Sequence, residues 1–301
     1  MIKIAYHNCY QHPLPEGHRF PMLKYELIPK QLLHQGIITP ENLFEPQPCA
    51  DDIILLTHEA DYLAQLKNCT LPPSHIRRIG FPLSDELVLR ELIIAQGTID
   101  CALWALKTGI SLNVAGGTHH AFTNKGEGFC LLNDIAIAAN YLLHQKLATR
   151  ILIIDLDVHQ GNGTAQIFEH NNAVFTFSMH GKNNYPFHKE KSNLDIELAD
   201  GTMGDEYLSL LTQHLPQLIN THQPDFVFYL SGVDVLETDK LGKLKLTQTD
   251  CILRDQFVFN TCKTAKIPVA VAMGGGYSPR VSDIVNAHCN TFTEAQKLFF
   301  E

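Results

Sequence analysis

Short apolar runs and longer stretches of helical periodicity alternate along the chain. Six runs are rich in β-branched and aliphatic residues: Ile2–Ala5, Ser111–Ala115, Ile151–Ile154, Ala173–Phe177, Phe226–Leu230 and Pro268–Ala272. Between them apolar residues recur at helical spacing. Val88, Leu92, Ala95, Ile99, Ala102 and Leu106 form one stripe, opened by Ser84 as an N-cap. Ile135, Ala138, Ala139, Leu142 and Leu143 form another, entered through Asn133. Continuous apolar strands separated by helices predict a three-layer α/β/α fold with a mostly parallel sheet.

Polar and Gly-rich clusters follow directly after five of these runs. GGTHH follows Ser111–Ala115, DLDVHQGNG follows Ile151–Ile154, and SMHG follows Ala173–Phe177. SGVD follows Phe226–Leu230, and GGGY follows Pro268–Ala272. Open α/β sheets bind ligands outside the carboxyl ends of their strands, so the five clusters are expected to converge on one site.

No Pro/Gly/Ser-rich linker, repeat or low-complexity tract divides the 301 residues, and one domain over 1–301 is expected. With 45% apolar and 18% charged residues, a large core is affordable. The formal net charge of −9 argues against nucleic acid or anionic lipid as partners. It would attract cationic substrates such as Lys-rich peptides or polyamines, weakly. Eight scattered cysteines with no CxxC pair indicate neither a disulfide framework nor a thiolate zinc site. Together with an N-terminus too polar for a signal peptide and the lack of a membrane-length apolar run, they suggest a cytoplasmic protein.

Asp155-Leu-Asp157-Val-His159 ends an extended segment in which alternate residues share a face. Two carboxylates and an imidazole so close suit a divalent cation, and the imidazole favours zinc over magnesium or calcium. The plain alternative is a strand-end Asp that caps a following helix. Gly161-Asn162-Gly163 then gives a tight turn before a helix near Thr164. A catalytic zinc takes three protein ligands, and Asp234, at the end of another strand, is placed to be the third. His119 and His120 are candidates for general base and acid, and Asp155 for orienting one of them. Tyr277, after Gly274-Gly275-Gly276, offers a phenol to a developing oxyanion where the bare backbone admits a close approach.

GGTHHAFTNKGEGFCLLND, DLDVHQGNGT, SMHG, SGVDVLETDKLG and MGGGY, in this order, resemble the histone deacetylase family. HPLPEGHRFPMLKY and RRIGFP resemble bacterial members close to its class IV branch, and the likeness runs from about His7 to about Tyr277. The resemblance implies the arginase/deacetylase-like fold and a zinc amide hydrolase acting on acyl-lysine or a small acylated amine. Zinc would lie on Asp157, His159 and Asp234, with Tyr277 polarising the carbonyl and His119 and His120 as the acid–base pair. It also implies a potassium site on Asp155, Asp157 and His159 with Ser178 and Met179. Gly128 and Phe129 match one wall of an acyl-lysine tunnel, Tyr185 the other, Gly275 a substrate contact, and Arg19 a residue of the inner cavity.

Asn162 stands where many members carry Asp as partner of the second histidine, which makes uneven proton roles the expectation. No residue matches the rim Asp that grips a peptide backbone in some members. Arginase-like enzymes need further ligands for a second metal, yet Gln160 follows His159 and SGVDVLETD lacks an Asp-x-Asp pair. A non-catalytic acyl-lysine-binding module would most cheaply have lost Tyr277 or a histidine. Longer acyl groups remain candidates through the class IV resemblance.

Overall fold

The computed structural model describes residues 1–301. Eight strands form one sheet: β1 (Lys3–Ala5), β2 (Leu43–Phe44), β3 (Ile110–Asn113), β4 (Ile151–Asp155), β5 (Val174–Gly181), β6 (Leu194–Leu198), β7 (Phe226–Ser231) and β8 (Val269–Met273). Their order is β2-β1-β3-β8-β7-β4-β5-β6, and every pairing is parallel. Each of the six apolar runs became a strand. The two unexpected strands, β2 and β6, lie at the sheet edges. β6 reads LDIEL and is mostly half-exposed, so no continuous apolar run announced it.

Central strands β4, β7 and β8 are buried along their whole length. Helices cover the sheet in two groups. Asp85–Thr108 packs on β1, β3 and β8 and against Asp134–His144. Gly204–His222, Gln248–Ala265, Val281–Phe300 and Lys24–His34 pack successively on one another. The two expected caps are present: Ser84 Oγ accepts the Leu87 N–H at 3.2 Å and Asn133 Oδ1 that of Ala136 at 3.0 Å. Each is worth about 1 kcal/mol. One apolar core of 82 buried residues joins sheet and helices.

The strands followed by polar clusters are the five contiguous ones, β3-β8-β7-β4-β5. Parallel pairing brings all five carboxyl ends to the same edge, and this is what assembles the site.

Candidate active site

β4 stops at Asp155, so strand alternation does not by itself bring Asp155, Asp157 and His159 to one side. Two successive side-chain-to-backbone turns do so instead. Asp155 Oδ1 accepts the Asp157 N–H at 3.1 Å, and Asp157 Oδ1 accepts that of His159 at 3.0 Å. Neighbouring strand ends are tied to this segment. Val158 N–H donates to Asp234 Oδ1 at 2.9 Å, and Gly275 N–H to Asp157 Oδ2 at 2.6 Å. A Cβ on Gly275 would collide with Asp234 Oδ2, so only glycine lets the backbone lie this close.

One ligand atom from each of Asp157, His159 and Asp234 falls within 4.8 Å of the others, and all three residues are buried. His159 Nδ1 lies 3.0 Å from Asp157 Oδ1 and 3.2 Å from Asp234 Oδ2. Asp234 Oδ2 is buried with no hydrogen-bond donor aligned on it. Burial opposes charge on His159, but the two carboxylates outweigh it and push the imidazole up to about 10. Two buried carboxylates and one imidazole, with a carboxylate oxygen left unpaired, form a donor set that fits zinc.

His119 Nδ1 faces Asp155 Oδ2 at 2.7 Å, and His120 Nδ1 faces Asn162 Oδ1 at 2.7 Å. The rings lie 4.1 Å apart between centroids. Burial works against protonating either ring. For His119 the Asp155 carboxylate overturns it and raises the pKa above the ordinary value. For His120 burial is reinforced by His119 and His159, while Asn162 supplies only a dipole, so its pKa falls well below the ordinary value. Asn162 itself begins the helix Asn162–Phe168, two residues ahead of the expected start.

Burial, then the carboxylates of Asp234 and Asp157, push the Tyr277 phenol well above its ordinary pKa and keep it protonated. Asp239 Oδ2 accepts the Tyr277 N–H at 2.6 Å while its Oδ1 accepts those of Leu241 and Gly242, each at 2.8 Å. Phe129 has φ 69°, a left-handed backbone rare for a bulky residue and costing about 1–3 kcal/mol. It is held there by two hydrogen bonds to the end of the helix Pro73–Ile79: Gly128 N–H to Arg78 O at 3.0 Å and Phe129 N–H to Ile79 O at 2.7 Å. Tyr185 meets the His120 ring edge-on at 4.9 Å, and its hydroxyl donates to Glu127 Oε2 at 2.5 Å.

These residues outline a tunnel. Gly128, Phe129 and Tyr185 line a mouth of about 420 Å³. At the bottom a space of about 40 Å³ is bounded by Asp157, His159 and Tyr277, with Lys24 and Arg90 on the same lining. Arg19 is exposed at the mouth, its guanidinium 5.1 Å from the Phe129 ring centroid, and not in the inner cavity as the resemblance implies. The inner cations are Lys24, whose Nζ donates to Gly274 O at 3.2 Å, and Arg90, whose Nε donates to Tyr10 O at 2.8 Å. Burial lowers Lys24 to about 8. Nothing in the sequence pattern sets either apart, although Lys24 stands in the HRFPMLKY segment. Asp239, inside SGVDVLETD, likewise carries no sequence signal of this role.

Ser178 sits opposite Asp155 in the β4–β5 register, its Oγ 2.9 Å from His180 Nδ1, and Met179 is fully buried beside it. The main-chain oxygens of Asp157 and His159 accept no hydrogen bond. No helix is long and apolar enough to cross a membrane.

Known proteins share the fold and much of the sequence. A solved structure of a histone deacetylase homolog from Aquifex aeolicus shares the fold at TM-score 0.85, with 23% identity over 98% of this chain and 84% of that one. An uncharacterised protein of Picosynechococcus sp. is 47% identical over 285 residues, 95% of each chain. Histone deacetylase 2 of Arabidopsis thaliana is 30% identical over 270 residues, 86% of this chain and 70% of its own length. The family model of the histone deacetylase domain matches residues 18–292, a span that holds His119, His120, Asp157, His159, Asp234 and Tyr277. The chain therefore belongs to the histone deacetylase family, and is a hydrolase of that family's kind.

Proposed function

We propose that the protein is a zinc-dependent deacetylase acting on lysine side chains, with residues 1–301 as one catalytic unit. One observation carries this reading: three side chains able to hold a metal meet beneath a mouth lined by Gly128, Phe129 and Tyr185, beside two imidazoles and a phenol. Zinc held by Asp157, His159 and Asp234 would polarise an amide carbonyl and acidify a water.

The protein's own groups divide the remaining work. Tyr277 donates its phenolic hydrogen to the oxyanion that develops from the carbonyl. His120, with its Nδ1–H on Asn162, presents a neutral Nε2 that takes the proton from the attacking water. His119, whose charge Asp155 supports, holds a proton for the departing amine. Gly275 keeps the floor open, and Phe129, Gly128 and Tyr185 guide the lysine stem. Potassium fits beside the site on Asp155, Ser178 and Met179 with the free main-chain oxygens of Asp157 and His159. Eight unpaired cysteines are in keeping with a cytoplasmic location.

The volume at the bottom favours short acyl groups. A water needs roughly 10–15 Å³ by the same measure. A space of about 40 Å³ thus holds an acetyl-sized group, and the ionic neighbours Lys24 and Arg90 disfavour a long alkyl chain.

The test is hydrolysis of lysine amides carrying acetyl, trifluoroacetyl, octanoyl and myristoyl groups, with and without chelator, and Asp157→Ala as the blank. Chelator-sensitive turnover fastest on the two shortest groups is expected. No turnover on any lysine amide by zinc-loaded protein would refute the reading.

A further inference from the structure

The chain as a whole is acidic, but the tunnel mouth has the opposite sign. Its lining carries Arg19, Arg78 and Lys243 and not one carboxylate, against a net charge of −9 for the whole molecule. The three cations come from separate parts of the fold. Arg19 belongs to the loop ahead of the helix Lys24–His34, and Arg78 to the last turn of Pro73–Ile79. Lys243 follows the Asp239–Gly242 turn on the far side.

Two of them are tied to the tunnel wall. The carbonyl of Arg78 accepts the Gly128 N–H, so this residue stands directly behind the wall. Arg19 leans over the Phe129 ring. Neither guanidinium has an ion-pair or hydrogen-bond partner, and both are exposed, while Lys243 lies only loosely near Asp200, at 3.7 Å. The carboxylate behind Tyr185, Glu127, is already engaged by the Tyr185 hydroxyl and by Lys125 at 2.9 Å. A basic residue at a helix end often serves only to complement the helix dipole. That accounts for Arg78, but not for Arg19 or Lys243, which end no helix.

We propose that the substrate is an acyl-lysine set in an acidic peptide segment, whose flanking carboxylates are received by Arg19, Arg78 and Lys243 while the acyl-lysine enters the tunnel. The proposal rests on the deacetylase reading given above and narrows it. Acetylated polyamines, which hold a second ammonium a few ångströms from the amide, meet repulsion at this mouth, as do Lys-rich peptides. Apolar surface from Phe129, Tyr185 and the largely exposed Phe187 lowers the local dielectric around these charges and strengthens the selection.

The experiment measures kcat/KM of zinc-loaded protein on peptides of one length with a single acetyl-lysine flanked by Glu, Gln or Lys, and on N-acetylspermidine. It is run from low to high salt. The expected order is Glu over Gln over Lys, spanning at least about tenfold, with acetylspermidine slowest and the gap closing as salt rises. The double variant Arg78→Glu/Lys243→Glu should invert the order. Equal rates on the three peptides, an order that charge reversal leaves unchanged, or a preference for acetylspermidine would overturn the proposal. Failure to cleave any of the substrates would instead overturn the deacetylase reading. Fluorescence anisotropy of the labelled peptides would then read the charge preference by itself.

Discussion

The guanidinium of Arg254 donates to the carbonyl oxygen of Gly232 at 2.6 Å, two residues ahead of Asp234. The same nitrogen lies 3.4 Å from the carbonyl of Leu156, next to Asp157, and Nη2 donates to Ser231 Oγ at 2.9 Å. One fully buried cation therefore braces the ends of β4 and β7, the two strands that lead into Asp157 and Asp234. Arg254→Met would leave Asp255 buried without its ion pair, at a cost of about 3–5 kcal/mol. Zinc affinity should fall roughly 10–100-fold. Thermal melts and a competitive metal titration separate the two effects. Unchanged affinity in a folded variant would show that the brace does not reach the ligands.

Asp157→Ala should lose both bound zinc and turnover. Tyr277→Phe should retain full zinc stoichiometry while kcat drops roughly 10²–10³-fold, since only an oxyanion donor is removed. Elemental analysis beside steady-state kinetics tests both, and an unchanged kcat would remove Tyr277 from the mechanism.

Asn162→Asp gives His120 a charged partner. A carboxylate stabilises imidazolium and raises its pKa, by about 1–3 units for a close pair. A base acts only when deprotonated, so the acid limb of the kcat/KM profile should move to higher pH. Activity at pH 6 should fall more than at pH 8. An unmoved limb would assign that limb to another group.

His58 is buried, its Nε2 accepting the Asn133 N–H at 3.0 Å, and burial lowers its pKa to about 4. Between the ordinary value near 6.5 and 4 the unfolded chain binds a proton that the folded chain refuses, so stability falls as pH falls through this window. The full loss is about 3 kcal/mol, complete below pH 4. Urea midpoints at pH 7 and pH 5 measure the slope, which His58→Gln should flatten.

Much of the site was readable because parallel strands buried on both faces appear as apolar runs, and the residues after each run must lie at one edge. That logic places Asp157, His159 and Asp234 at one edge, where the structure brings them together. The turns that orient them were not, because side-chain-to-backbone hydrogen bonds leave no periodic trace. β6 escaped notice for a related reason: an edge strand with alternating acidic residues has no apolar run to show. Lys24 and Arg254 are single cations in helices, and burial alone distinguishes them from surface charges. Arg19 was assigned to the inner cavity through resemblance, yet here its loop carries it outward over Phe129.

The tunnel wall hangs from the last turn of the seven-residue helix Pro73–Ile79. Helices this short have little stability of their own, and such segments open at lower free energy than central strands. The two hydrogen bonds that hold Phe129 in its left-handed backbone end on this terminus. Deuterium uptake at Gly128 and Phe129 should therefore run ahead of that in the central strands β4 and β7.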